Sequence, residues 1–178
     1  DPKNEPKLKN FIIIDGGFLT VDCCEIVNSK SSSGTAVGLE NTGVIRIAYK
    51  IVDYLFKEYK YQISVKEAQK ILDNNGTFVR RGVKYDISKQ VDEFTKKYLE
   101  EVLELVENEY SNQIDVVEGI LILGGLAYFF KKYIEAGDKE VIGMINRHFS
   151  TDFIHFPPYD SEFFNVYSYL MAAEKLTI

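Results

Sequence analysis

The feature that most constrains this chain is an apolar run, Phe11-Ile12-Ile13-Ile14, driven straight into Asp15-Gly16-Gly17 and resumed at once toward Ile26. A plain hairpin needs only turn residues and gains nothing from a carboxylate at the end of a strand. Residues 11–15 and 18–27 therefore read as two antiparallel strands around a break that holds something. Residues 35–39 read as a third strand after the polar turn 28–34. In chain order Asp15, Gly17, Thr20 and Asp22 spell D-x-G-x-x-T-x-D. Here a carboxylate can hold a magnesium ion's water shell, a glycine lets backbone approach a phosphate, and a hydroxyl sits in the same turn. Taken alone, the pattern also fits a hairpin with no ligand, and Asp22 reads as fixing that hairpin.

Helical periodicity follows. From Thr42 to Glu58 the residues Val44, Ile45, Ile47, Ala48, Ile51, Val52, Leu55 and Phe56 recur at the spacing of one helix face. Ser64 and Glu67 form a capping box that predicts a short helix to Leu72, ended by Asn74-Asn75-Gly76. Residues 77–87 read as a hairpin turning near Arg81-Gly82. Ser88 then caps a long helix to Tyr110, with Val91, Phe94, Tyr98, Val102, Leu105 and Val106 along one side. Glu100, Glu101, Glu104 and Glu107 read as its solvated face, and Arg80 and Arg81 as a solvated hairpin tip. The more polar insert 60–86 is expected to form its own small lobe.

A short apolar strand then ends in Gly124-Gly125 and runs directly into a helix. Glycine lets backbone come close to a ligand, and a helix start presents N–H groups, so strand, glycine pair and helix suit a nucleotide. Residues 151–156 read as a last strand, followed by a helix capped near Asp160 or Ser161. His148 and His155 lack partners at metal-ligand spacing and read as surface or core residues.

Composition narrows the classes. A net charge of −6 without clustered Lys and Arg argues against direct nucleic-acid binding. The longest apolar stretch, 119–130, is shorter than a membrane span, so no direct membrane contact and a cytoplasmic location are expected. Cys23 and Cys24 are adjacent in a strand and point to opposite faces, which argues for free thiols rather than a disulfide. The chain opens without Met, and we expect it to be a piece of something longer.

These residues carry a resemblance. "IIIDGGFLTVD" resembles the second phosphate loop of actin-like ATPases, most closely the ParM-type plasmid-segregation proteins. "ILILGGLAYF" resembles their adenosine loop, and "FFNVYSYLMAAEK" their closing helix. The resemblance covers nearly the whole chain and implies the C-terminal half of such a protein. The implied fold is α/β, a ribonuclease H-like actin-type subdomain. Its mixed five-stranded sheet, three antiparallel then parallel strands, is flanked by helices over 1–59 and 87–178, with a small α+β lobe inserted at 60–86.

The resemblance implies ATP or GTP with Mg²⁺ as cofactors. Asp15 would be the catalytic group, organising the metal through water, and Gly16, Gly17, Phe18 and Thr20 would meet phosphates. Gly124, Gly125, Leu126, Ala127 and Tyr128 would line base and ribose. Lys66, Glu67 and Lys70 lie where relatives contact adenine or ribose, although a solvated surface is the simpler reading of those three. Phe18 and Leu126 depart from the small residues common at their positions. A longer parent is implied to self-associate into filaments and to meet an adaptor protein on DNA. Half of a small-molecule kinase of the same superfamily, and a nucleotide-free interaction module, are the alternatives.

Overall fold

The computed structural model describes residues 9–28, 30–31, 36–112 and 116–156. Strand β1, Phe11–Gly16, alternates as its sequence requires: Ile12 and Ile14 are buried, while Phe11, Ile13 and Asp15 are half-buried. It pairs antiparallel with β2, Thr20–Val27, in a register that sets Asp15 opposite Asp22 and Ile14 opposite Cys23. The outer edge of β2 is shared by β3, Lys30–Ser31, and β4, Val37–Glu40, so part of the expected polar turn is strand.

Helix α1, Ile45–Tyr59, buries Ile45, Ile47, Ala48, Ile51 and Leu55. Phe56, expected on that face, is about half exposed, because it sits roughly 100° around the helix from Leu55. Ser64 caps α2, Val65–Asp73, and its hydroxyl accepts from the Glu67 N–H while Glu67 Oε2 accepts from the Ser64 N–H at 2.8 Å. The hairpin of β5, Thr77–Arg80, and β6, Val83–Asp86, turns at Arg81-Gly82.

Helix α3 runs Ser88–Glu109, but Ser88 does not cap it. Asp86 does that work from two residues upstream, accepting the Ser88 N–H at 2.9 Å, and hydrogen bonding to the Ser88 hydroxyl first, then to this N–H, holds the Asp86 carboxyl below its usual range. The buried face is Val91, Thr95, Tyr98, Leu99, Val102, Leu103 and Val106, so Leu105 and Phe94 flank it. The glutamates divide. Glu101 pairs with Arg46 at 3.0 Å and Lys50 at 3.1 Å, Glu100 with Arg147, and Glu107 with His148 at 2.6 Å, which leaves Glu104 as the solvated member.

Strand β7, Ile120–Leu123, joins β1 in parallel and leads into α4, Gly124–Glu135. Helix α5, Lys139–His148, adds an element to those expected from the sequence. Asp138 caps it, accepting from Glu140 N and Val141 N, and Val141, Met144 and Ile145 are buried. The last expected strand is shorter than 151–156, because Thr151–Phe153 form a 3-10 turn and only β8, Ile154–His155, pairs in parallel with β7. The helix expected near Asp160 lies outside the described residues.

The sheet therefore has five positions, β3/β4-β2-β1-β7-β8, antiparallel on one side of β1 and parallel on the other. One core joins it to the helices, and Ala68, Ile71 and Leu72 of α2 belong to that same core. Each fully buried aliphatic or aromatic side chain there contributes about 1.5–3 kcal/mol. Around the hairpin, Phe78 stacks on Tyr85 at 5.1 Å and Tyr61 stacks on Tyr59 at 5.8 Å. Arg80 lies over the Tyr61 ring at 4.5 Å, so it is a packed residue and only Arg81 is an exposed tip.

Candidate functional site

The two glycine-marked junctions meet. Gly16 at the end of β1 and Gly124 at the start of α4 form a parallel backbone bridge, so the chain leaves both strands side by side. Gly124 has φ +66°, and a Cβ on it would lie 2.7 Å from both Asp15 Oδ1 and the Gly16 carbonyl oxygen. Only glycine fits that position. A Cβ on Gly16 would lie 2.2 Å from the Leu126 Cβ, so Gly16 serves close packing of strand on helix.

The break after Asp15 is held from two directions. Gly17 N–H donates to the Thr20 carbonyl at 2.9 Å, closing the turn. Its outward carbonyls are taken by the chain entering α1, with Gly43 N on Leu19 O, Val44 N on Gly17 O and Ile45 N on Phe18 O at 2.8–3.2 Å. The start of α1 is thus occupied by the turn, whereas α4 opens directly on Gly124-Gly125. Thr20 Oγ1 donates to Asp22 Oδ2 at 3.0 Å, so Asp22 braces the hairpin.

Beside these junctions lies a cavity of about 1100 Å³. Asp15, Gly17, Phe18 and Val44 line one end of it, and Gly124, Gly125, Tyr128, Phe129, Lys132 and Tyr133 of α4 line a wall. Helix α2 and its following turn contribute Gln69, Leu72, Asp73 and Asn75, and α3 contributes Ser88, Lys89, Val91, Asp92 and Thr95. Of the residues singled out from sequence, Asp15, Gly17, Phe18, Gly124, Gly125 and Tyr128 come together here. Leu126 and Ala127 are fully buried and face the core instead. Gly16 lies under Leu126, and Thr20 stands outside the cavity wall with Asp22. On α2 the wall residues are Gln69, Leu72 and Asp73, not Lys66, Glu67 or Lys70, and Glu67 is engaged in the capping box. Burial of Ala68, Ile71 and Leu72 in the common core fixes how the helix is turned.

Sequence reasoning also missed the polar group at the α3–α4 side. Tyr133 O–H donates to Asp92 Oδ1 at 2.7 Å. Lys96 pairs with Asp92 at 3.2 Å, Asp138 at 2.8 Å and Glu140 at 2.9 Å. Hydrogen bonding to Asp138 first, then to Glu140 and Asp92, raises the Lys96 ammonium above its ordinary range. Burial, then the bond to Asp92, raises the Tyr133 phenol, so it stays a donor. Across the mouth, Lys132 Nζ donates to Asn75 Oδ1 at 3.0 Å and ties α4 to the turn after α2.

A mixed sheet whose first strand ends in an Asp-Gly-Gly turn, bridged to a glycine-started helix beside a cleft, defines one half of an actin-type fold. The sequence model of a family described as the archaeal actin homologue MreB-like, C-terminal, matches residues 13–136. The chain belongs to this family of MreB-like C-terminal domains. Its fold is similar to that of Ta0583, an archaeal actin homolog solved in complex with ADP, at 17% identity and a TM-score of 0.74, covering 96% of this chain and 51% of that one. It is similar as well to a ParM in a 15-stranded filament from Clostridium botulinum, at 14% identity and a TM-score of 0.73, covering 95% and 46%. Bacillus thuringiensis ParM with ATP is 16% identical with a TM-score of 0.67, covering 99% and 49%. The chain spans about half the length of these solved structures. No curated protein matches it at a significant level. Among the described residues, no helix is long and apolar enough to cross a membrane.

Proposed function

We propose that this chain is the nucleotide-binding half of an actin-like, filament-forming ATPase of the ParM type, acting in plasmid or DNA segregation through an adaptor protein. The observation that carries the reading is the Gly16–Gly124 bridge beside Asp15. It sets a carboxylate, a glycine turn and a glycine-opened helix start at one end of a cleft large enough for a nucleoside triphosphate. The relatives solved with ADP and ATP support the ligand class, and the ParM filament supports self-association.

The residues fit a nucleotide carrying magnesium. Among the described residues no three His, Cys, Asp or Glu side chains form a metal cage. Magnesium suits such a site, because it keeps its waters and is held through one carboxylate and the phosphates. Asp15 would orient those waters, Gly17 and Phe18 would present backbone to the phosphates, and Gly124, Gly125 and Tyr128 would border the sugar and base. The body at 1–59 and 87–178 and the lobe at 60–86 would close on the nucleotide from two sides. Hydrolysis also needs groups that hold the attacking water in line, and these belong to an opposing half.

The test is binding of a fluorescent ATP analogue to the purified chain with and without magnesium, then with Asp15→Ala. Saturable binding weakened at least ten-fold by Asp15→Ala is expected. Absence of saturable binding of both ATP and GTP analogues overturns the proposal.

A further inference from the structure

The cleft leaves the β5–β6 hairpin unused. Asn75 and Ser88 line the cavity, and no residue between them does. The lobe that carries the hairpin also differs in charge from the rest of the chain. Residues 60–86 hold six Lys or Arg against three carboxylates, a net charge of +3 within a chain of −6, so the remainder carries −9. Those three carboxylates are already engaged elsewhere. Glu67 is held in the capping box with Ser64, Asp86 accepts the Ser88 N–H, and Asp73 lines the cleft. Among the described residues none of the six lobe cations forms an ion pair, whereas Arg46, Lys50, Lys89, Lys96 and Arg147 of the body all do.

The backbone decides what shape of partner the hairpin can take. Arg81 and Gly82, with φ +50° and +77°, make a two-residue turn. In such a hairpin the flanking pair, here Arg80 and Val83, exchanges both ladder bonds, and the next pair turns its N–H and C=O groups outward. Lys84 and Asp86 therefore direct their backbone groups away from β5, two residues apart, which is the repeat of a strand ladder. On β5 the matching positions are Thr77 and Val79, but the Thr77 N–H is spent on the Asn74 carbonyl at 3.2 Å. The β6 edge is thus the more complete template for a further strand. Val83, 53% exposed, and half-buried Tyr85 stand on one face of it, with exposed Lys84 and Asp86 on the other.

We propose that the outer edge of β6 is a docking site for an extended, acidic segment of a partner protein, which adds to the hairpin as a third, antiparallel strand. Apolar residues of that segment lie opposite Val83 and Tyr85. One carboxylate lies opposite Lys84 and a second beside Arg81 at the tip. An uncharged residue lies opposite Asp86, because like charges face to face destabilise a strand pair. The cations of the lobe set the sign of the partner, and the outward ladder sets its conformation.

The peptide Thr-Val-Glu-Val-Glu, acetylated and amidated, is the antiparallel complement of residues 86 down to 82. Titrated into the isotope-labelled chain and followed by amide NMR, it is expected to move the Lys84 and Asp86 amide protons downfield. Exchange of those two amides with solvent is expected to slow by about five-fold or more at saturation, since each gains an acceptor. A twin N-methylated at Thr and at the first Glu loses the donors that face β6, and a twin with Lys for both Glu reverses the charge. Each is expected to bind at least about ten-fold more weakly. Lys84→Glu is expected to weaken the acidic peptide about five-fold and to strengthen the Lys twin. Both twins are read on the wild-type chain, so they decide the matter even where the variant unfolds. Largest shifts outside 82–86, or either twin binding as tightly as the parent peptide, overturns the assignment. So does the absence of any shift at millimolar peptide. A single-stranded oligonucleotide that moves the same amides at lower concentration than the peptide overturns it too, and would make the lobe a phosphate-binding surface.

Discussion

Replacing Gly124 by Ala tests the geometry on which the site rests, and two other glycines calibrate it. At φ +66° an L residue in the left-handed region costs about 1–2 kcal/mol. The added Cβ would also lie 2.7 Å from Asp15 Oδ1 and from a backbone oxygen of Gly16 that the sheet holds in place. Forcing that contact apart costs a further 1–3 kcal/mol, roughly the cost of overpacking. Gly124→Ala should therefore destabilise by about 2–5 kcal/mol. Gly137 has φ +67° with nothing within 4 Å of its Cβ position, so Gly137→Ala isolates the backbone cost of about 1–2 kcal/mol. Gly125 has ordinary φ and its nearest neighbour at 3.6 Å, so Gly125→Ala should be neutral or stabilising by up to about 1 kcal/mol through helix propensity. Thermal unfolding of the three variants reads the order directly, at roughly 2–4 °C per kcal/mol for a chain of this size. A Gly124→Ala midpoint no lower than that of Gly137→Ala would refute the claim that Asp15 and Gly16 leave no room there.

Alkaline pH gives a second test: burial pushes the Cys23 thiol up to about 12 and raises the Tyr98, Tyr110 and Tyr133 phenols as well. The unfolded chain loses these protons from about pH 8.5 for thiol and 10 for phenol while the native chain keeps them. Stability is therefore fully present below pH 8 and falls as pH rises toward 12, and an unfolding midpoint in urea that stays flat from pH 8 to 11 would contradict this. On the proposed function, phosphate release from the purified chain should stay at background with ATP or GTP, because the groups that hold the water in line would belong to an opposing half; turnover abolished by Asp15→Ala would overturn that. Arg80→Ala should cost about 0.5–1 kcal/mol through its lost stacking on Tyr61, whereas Arg81→Ala at the tip should leave the thermal midpoint unchanged. Equal effects of the two would show that the hairpin packs differently.

Local chemistry made much of this chain legible in one dimension. Period-2 alternation around Asp15-Gly16-Gly17 announces the β1–β2 pair, Ser64 and Glu67 announce α2, and Gly124-Gly125 announces the strand-to-helix junction. Each depends on residues within a few positions of one another, so the sequence states it directly. Helix α5 is legible too, through its Asp138 cap and the apolar spacing of Val141, Met144 and Ile145.

Other features depend on what lies across the fold. Ser88 carries a capping residue's side chain, yet Asp86 wins the N–H because the hairpin delivers it first. Glu100, Glu101 and Glu107 look like a solvated stripe until α1 and α5 bring Arg147, Arg46, Lys50 and His148 against them. The face that α2 turns to the cavity is set by Ala68, Ile71 and Leu72 entering the common core, which moves Gln69 and Asp73 to the wall and Lys66 and Lys70 away from it. Asp92 is the sharpest case. In sequence it is one acid among many on a charged helix. Its i,i+4 partner Lys96 is local, but only the packing of α4 and the α5 cap against α3, 40 residues and more downstream, supplies the Tyr133 hydroxyl and the Asp138 and Glu140 carboxylates that hold Lys96 beside it.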